Sequence, residues 1–214
     1  MSAENDSVDE GKMYISYNNV HQLCQEAAEK IKPMKPDLIV AIGGGGFIPA
    51  RILRSFLKEP GQPNLRVMAI ILSLYEDINS VSTDAEKTGT EVVRVQWIDY
   101  LKSKIDLVGK NVLIVDEVDD TRTTLHYAIS ELQKDADAQA AAQGKPPGST
   151  NFLVFVLHDK VKPKKAALPA KIMDTGKYLA ARTVPDVWIA YPWESTDIVP
   201  HTEMAVKQGN DAFL

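Results

Sequence analysis

The sequence predicts an α/β fold, a parallel twisted sheet flanked by helices, with a small hood. Three observations predict it. First, short apolar runs rich in β-branched residues recur at 37–42, 66–72, 112–115 and 151–157, with little polar alternation. Such runs suit strands buried on both faces. Second, helix-compatible stretches stand between them, as βαβ units require. Third, the loops after the first and third runs are a glycine cluster and an acidic, threonine-rich turn. In open α/β sheets, ligands bind at the carboxyl ends of strands.

The elements follow in order. Residues 1–12 are polar and acidic and read as a disordered tail, unlike a signal or transit peptide. Asn18 or Asn19 can cap a helix that runs to about Lys30, and Pro33 and Pro36 end it. Asp37 to Ile42 form a strand, Gly43 to Gly46 a loop, and Pro49 stands near the start of a helix through Leu57. Arg66 to Leu72 form the next strand. Residues 76–91 are polar and read as a long mobile loop, a length associated with function or disorder. Val92 to Trp97 resume strand character. After Val112–Val115, a helix is expected from Thr124 to Gln133, with 134–150 crossing the surface. Asn151 to Leu157 form a further strand, and 171–197 read as short strands or loops of a hood. The chain divides into the tail and one unit over 13–214, the hood coming from its N-terminal segment and about 171–200.

Composition excludes some functions. The 214 residues carry a net charge of −5, so no broad basic surface for nucleic acid is expected. No apolar run approaches the roughly 20 residues of a membrane span. Lys162, Lys164 and Lys165 flank Pro163 in an expected exposed turn. Cys24, the only cysteine, sits at helical apolar spacing and is expected in the core. With no disulfide possible within the chain, a reducing, cytoplasmic setting fits.

The run Val112-Leu-Ile-Val-Asp-Glu-Val-Asp-Asp-Thr-Arg-Thr-Thr124 carries most of the chemistry. Asp116, Glu117, Asp119 and Asp120 repel one another unless a cation, hydroxyls or a proton satisfies them. Thr residues at the start of a helix offer free N–H groups and a dipole to a phosphate. The combination points to a phosphorylated sugar held with a divalent metal.

This run resembles the diphosphoribosyl-binding signature of the type I phosphoribosyltransferases, and within them the 6-oxopurine branch. The resemblance extends from Tyr14 to about Pro200. It is strongest at 112–124 and at Pro185-Asp-Val-Trp-Ile-Ala-Tyr-Pro-Trp-Glu194. One departure stands out: Arg122 replaces the usual Gly. Arg disfavours a strongly positive φ, so either the loop keeps ordinary backbone angles or the side chain serves another purpose, such as a subunit contact.

The resemblance implies transfer of 5-phosphoribosyl from its 1-diphosphate to N9 of hypoxanthine, guanine or xanthine, releasing pyrophosphate and a nucleoside monophosphate. Mg²⁺ is the implied cofactor and a homodimer the implied assembly, with neither nucleic acid nor membrane as partner. Asp116 and Glu117 would accept from the ribose hydroxyls. Asp120 would serve as general acid/base at purine N7. Asp120, Thr121, Arg122, Thr123 and Thr124 would hold the 5′-phosphate. Gly43 and Gly44, joined by a cis peptide in the family, would hold pyrophosphate with Arg51. Ser73 and Tyr75 would belong to a flap that closes over the sugar, taking in 76–91. Lys160, with His158 as alternative, would donate to the purine 6-oxygen. Trp188 would stack on the base and Ile189 would offer its carbonyl. Glu194, or else Ser195 or Asp197, would supply an acid near the metal, beside Asp116 and Glu117. Rival readings are an orotate or adenine transferase, and a regulatory protein that senses the sugar diphosphate. A sensor needs no acid/base at Asp120.

Overall fold

The computed structural model describes residues 11–75 and 91–211. A six-stranded sheet forms the centre. In chain order it comprises β2 (Leu38–Gly43), β3 (Arg66–Tyr75), β4 (Glu91–Gln96), β5 (Asn111–Asp119), β6 (Asn151–Val161) and β7 (Tyr178–Pro185). Their spatial order is β4-β3-β2-β5-β6-β7. All neighbours pair in parallel except β3 and β4, which are antiparallel. The parallel expectation therefore fails at one edge. There β4 is the next described element after β3 and pairs with it antiparallel, with a register shift between Ile71 and Leu72.

The apolar runs behave as strands buried on both faces should. Ile39, Ala41, Leu113, Val115, Leu153 and Phe155 face one core, shared with α1 (Tyr17–Ile31) and α2 (Phe47–Phe56). Their neighbours Val40, Ile42, Val112, Ile114, Val154 and Val156 face the other, shared with α4 (Thr123–Ala142). Period-two geometry sends alternate residues to opposite faces, so both sets must be apolar. On α4, Leu125, Ala128, Ile129, Leu132 and Ala136 make the buried stripe. The helix runs well past Gln133 because Ala136 and Ala140 keep its apolar spacing.

Other boundaries moved for local reasons. Ser16, not Asn18 or Asn19, caps α1, its hydroxyl accepting from Asn19 N–H at 3.0 Å. Cys24 is buried in the core, and burial pushes its thiol up to about 12. The hood is smaller than expected. Residues 178–185 belong to the central sheet as β7, a half-exposed edge strand whose polar face hid it in the sequence. The separate layer is a two-stranded parallel ribbon of β1 (Lys12–Tyr14) and β8 (Trp188–Ala190). Lys12 thus lies in a strand and not in a tail. The helix α6 (Ile198–Lys207) follows, with Asp197 as its cap. Short helices α3 (Tyr100–Ser103) and α5 (Ala170–Met173) fill connections. Among the described residues, no helix is long and apolar enough to cross a membrane.

The topology brings the carboxyl ends of β2, β3, β5 and β6 side by side. These ends carry Gly43, Ser73, the acidic run and Lys160.

Candidate active site

A cavity of about 570 Å³ opens at these strand ends. Gly43, Ser73 and every residue from Asp116 to Leu125 line it, together with Lys162, Pro163 and Lys165. The strand β5 ends at Asp119 and α4 begins at Thr123, so the turn between them is only Asp120 to Arg122. Arg122 occupies the cap position of α4 and offers no side-chain acceptor to the helix. The first-turn N–H groups are therefore left for a ligand, and the dipole favours an anion there. Thr121 Oγ1 and Thr123 Oγ1 lie 3.0 Å apart beside this turn.

Arg122 does adopt the left-handed conformation, with φ 68° and ψ 0°. The sequence argument had set this against a side-chain role, yet the structure combines them. Arg122 Nε donates to Asp119 Oδ2 at 2.8 Å, and the guanidinium lies 5.1 Å over the Tyr178 ring.

Asp116 and Glu117 differ from the acids that follow. Burial, then the adjacent Glu117, pushes the Asp116 carboxyl well above the usual range. Glu117 Oε2 is buried and accepts no hydrogen bond from the described residues. A Cβ on Gly45 would lie 1.9 Å from the Glu117 Cδ, so that glycine makes room for the carboxylate. A Cβ on Gly46 would lie 2.4 Å from the Val115 carbonyl and 2.5 Å from that of Ile42. The last two glycines of the cluster thus have structural duties that the sequence reading missed. Nothing lies within 4 Å of a Cβ on Gly44, and the Gly43–Gly44 peptide is cis. Arg51 is not brought to the cavity: it sits on the exposed face of α2, bonding Ser55 one turn on at 2.9 Å.

Asp120 is half-exposed. Burial opposes its ionisation, but Lys162 and Lys160 outweigh that and hold it below the usual carboxylate range. Lys162 Nζ stands 2.9 Å and Lys160 Nζ 3.6 Å from Asp120 Oδ1. The expected exposed lysine turn is instead packed against the acids. The Lys164 side chain is only 16 % exposed, with Nζ 2.7 Å from Asp159 Oδ1. A Pro-interrupted lysine run reads as solvated in one dimension, and its partners Asp119, Asp120, Asp159 and Asp186 come from several segments.

The residues expected around the base form a second group, outside the cavity lining. Trp188 is 60 % exposed, leaving a ring face open. Ile189 is buried in β8 and paired with Met13. Trp193 stacks on Tyr191 at 4.7 Å and 6°, as a small aromatic core. Tyr191 ties the groups together: its hydroxyl donates to the Glu117 carbonyl at 3.1 Å and meets His158 Nδ1 at 2.9 Å. With the hydroxyl proton directed to Glu117, His158 must carry its own on Nδ1. His158 is buried, its pKa lowered to about 4 by burial and Arg182. His158 is thus buried against Tyr191 and is not among the residues lining the cavity. Burial, and then Glu117, raises the Glu194 pKa. Among the described residues, no three His, Cys, Asp or Glu converge on one ion position. Ser73 is exposed at the cavity wall. The Tyr75 side chain and the loop over 76–90 lie outside the described residues.

Known proteins of similar sequence and fold point to one family. The family model "Phosphoribosyl transferase domain" matches residues 13–141. A hypoxanthine-guanine phosphoribosyltransferase of Saccharomyces cerevisiae is 69 % identical over 209 residues, covering 95 % of each chain. Xanthine phosphoribosyltransferase 1 of the same organism is 54 % identical over 205 residues, covering 94 % of this chain and 98 % of its own. A structure of a Neisseria gonorrhoeae protein with bound ppGpp superposes with TM-score 0.70 at 36 % identity, covering 92 % and 97 %. With the fold, the acidic strand end and the open helix cap in place, the chain belongs to the phosphoribosyltransferase family.

Proposed function

We propose that this protein is a purine-salvage enzyme that transfers 5-phosphoribosyl from 5-phosphoribosyl 1-diphosphate to hypoxanthine or guanine. The products are IMP or GMP and pyrophosphate. The observation that carries the reading is the pairing of two unneutralised carboxylates, Asp116 and Glu117, with an uncapped helix start in one cavity. The relative at 69 % identity supports the choice of base.

In this reading the N–H groups of 121–124 and the threonine hydroxyls seat the 5′-phosphate. Asp116 and Glu117 accept from the ribose hydroxyls, which satisfies the orphaned Glu117 oxygen. Backbone N–H groups at Gly43 and Gly44 receive pyrophosphate. Asp120, kept ionised by its lysines, takes the proton at purine N7 as N9 attacks C1. Lys160 donates to the 6-oxygen, Trp188 stacks on the base, and the Ile189 carbonyl accepts from it. Mg²⁺ would fit this chemistry, because a hard cation prefers oxygen ligands and the Glu117 carboxylate has an oxygen without a partner. Asp116 and Glu117 would face the metal through the sugar and diphosphate it carries, with Glu194 the further acid nearby, since the three do not converge on one ion position by themselves. When bound, the metal neutralises the leaving pyrophosphate. The flap role of Ser73 and Tyr75, one functional unit over 13–214, a homodimer and a cytoplasmic location are parts of the same proposal.

The test is purified protein with the sugar diphosphate, Mg²⁺ and each base, followed by nucleotide detection. IMP and GMP are expected. A preference for xanthine is the second reading, favoured by the 54 % relative, and XMP as the dominant product would replace the first. No nucleotide from any base would sink both.

A further inference from the structure

We propose that Arg122 and Lys164 are positioning residues that hold the phosphate turn from outside, so that phosphate affinity depends on side chains that do not bind the phosphate. This rests on reading 120–124 as the 5′-phosphate seat. Lys164 Nζ donates to the carbonyls of Asp119 at 2.7 Å, Asp120 at 3.0 Å and Lys160 at 2.9 Å. An ammonium has three donors, and these three carbonyls occupy them, with the Asp159 carboxylate 2.7 Å away as counter-charge. The next carbonyl, that of Thr121, accepts from Lys165 N–H at 2.9 Å. Three successive carbonyls, 119 to 121, are therefore held by the segment 160–165. In a trans peptide the C=O of one residue and the N–H of the next point in opposite directions. Fixing those carbonyls aims the N–H groups of 120, 121 and 122 away from that segment, presented together to an anion.

Arg122 secures the end of the turn. A non-glycine residue in the left-handed region persists where its surroundings over-determine it. Here Asp119, whose side chain is fully buried, accepts from Arg122 Nε at 2.8 Å and from the Tyr178 hydroxyl at 2.6 Å, both on Oδ2. Asp159 Oδ1 stands 3.8 Å from Arg122 Nη2. Glycine would reach the same backbone angles with greater ease but would be free to leave them. The arginine makes the bound-like turn the resting one.

The experiment titrates ribose 5-phosphate into the full-length protein by calorimetry, with steady-state kinetics alongside. Arg122→Gly keeps the backbone angle accessible and removes the anchor. It should weaken ribose 5-phosphate binding about tenfold. KM for the sugar diphosphate should rise in step, with kcat changed less than about threefold. Arg122→Ala should bind more weakly still, since it loses the anchor and keeps the conformational cost. Lys164→Met should do the same through the carbonyls. If it does not fold, the Arg122 pair decides alone. Arg122→Gly binding within about twofold of wild type overturns the inference. So does a fall in melting temperature with KM unchanged, which would make the role merely structural. Wild-type protein that forms nucleotide from base and sugar diphosphate, with variants of unaltered affinity, defeats the inference alone. Wild-type protein that fails to bind ribose 5-phosphate defeats the assignment of the seat as well.

Discussion

Two acidic regions sit within five residues on one strand end, and the fold treats them oppositely. Asp119 and Asp120, with Asp159 beside them, are surrounded by Arg122, Lys160, Lys162 and Lys164. Asp116 and Glu117 have no cation in contact among the described residues; Asp119 adds like charge at Asp116, and Glu117 helps raise the pKa of Glu194. The first region is finished structure: its charges are matched before any ligand arrives. The second is left without a cation, and at Asp116 burial and then the adjacent Glu117 oppose ionisation. Unsatisfied buried charge is costly, so it persists where a ligand or ion supplies the missing partners. The difference separates residues that build the site from those that hold substrate in it.

The largest test of that division falls on its border, at Asp120. Asp120→Asn keeps the shape and cannot exchange the N7 proton. Turnover should fall by roughly 10²–10⁴ while nucleotide affinity stays nearly intact. Turnover within about threefold of wild type would remove Asp120 from the chemistry.

The two regions should next respond with opposite sign. Asp119→Asn breaks a matched, fully buried group and should cost about 3 kcal/mol in chemical denaturation. Asp116→Asn combined with Glu117→Gln relieves repulsion and should raise the melting temperature of the free protein. The same double variant should weaken Mg²⁺-dependent binding of the sugar diphosphate. Equal destabilisation by both sets would erase the distinction drawn here, as would full wild-type activity in excess chelator.

The pH dependence of stability sharpens the link between base segment and ribose acids. His158 has its pKa lowered from 6.5 to about 4. The unfolded chain takes up this proton as pH falls below 6.5, whereas the folded chain resists until about 4. Stability is therefore lost as pH falls through that window and is fully present above it. Between pH 7 and 5 the loss assigned to this group is about 2 kcal/mol. His158→Asn should flatten the stability profile over that range relative to wild type. An unchanged slope would mean that other groups set it.

The smallest expected effect separates two neighbouring glycines. Gly45→Ala should fold, because only the flexible end of Glu117 must move, yet it should raise KM for the sugar diphosphate. Gly46→Ala meets two backbone carbonyls that cannot move aside, and should lower stability sharply. A Gly45→Ala enzyme with unaltered KM would show that the Glu117 position is not critical.

Much of this was legible in one dimension. Five of the sheet's six strands, the helix after the acidic run, the buried Cys24 and the carboxylate pair all follow from local pattern. Buried parallel strands must be apolar on both faces, and a strand-acid-threonine-helix order has few uses. The edge strand β7 was read as part of the hood and not of the sheet, because an edge needs only one apolar face. Arg122 shows the limit most clearly. Its replacement of glycine was visible, but its left-handed backbone and its bond to Asp119 were not. Local preference argued against that combination, and a partner three residues back in a buried position overrides it. The lysines of 162–165 make the same point. Their charge was plain, whereas their partners, Asp119 and Asp120 at the end of β5, Asp159 on β6 and Asp186, lie on separate segments. The sequence by itself determined which residues could carry chemistry and at which strand ends they stand. The tertiary structure decided which charges are paired and which are left open, because pairing depends on distances between segments that no local pattern records.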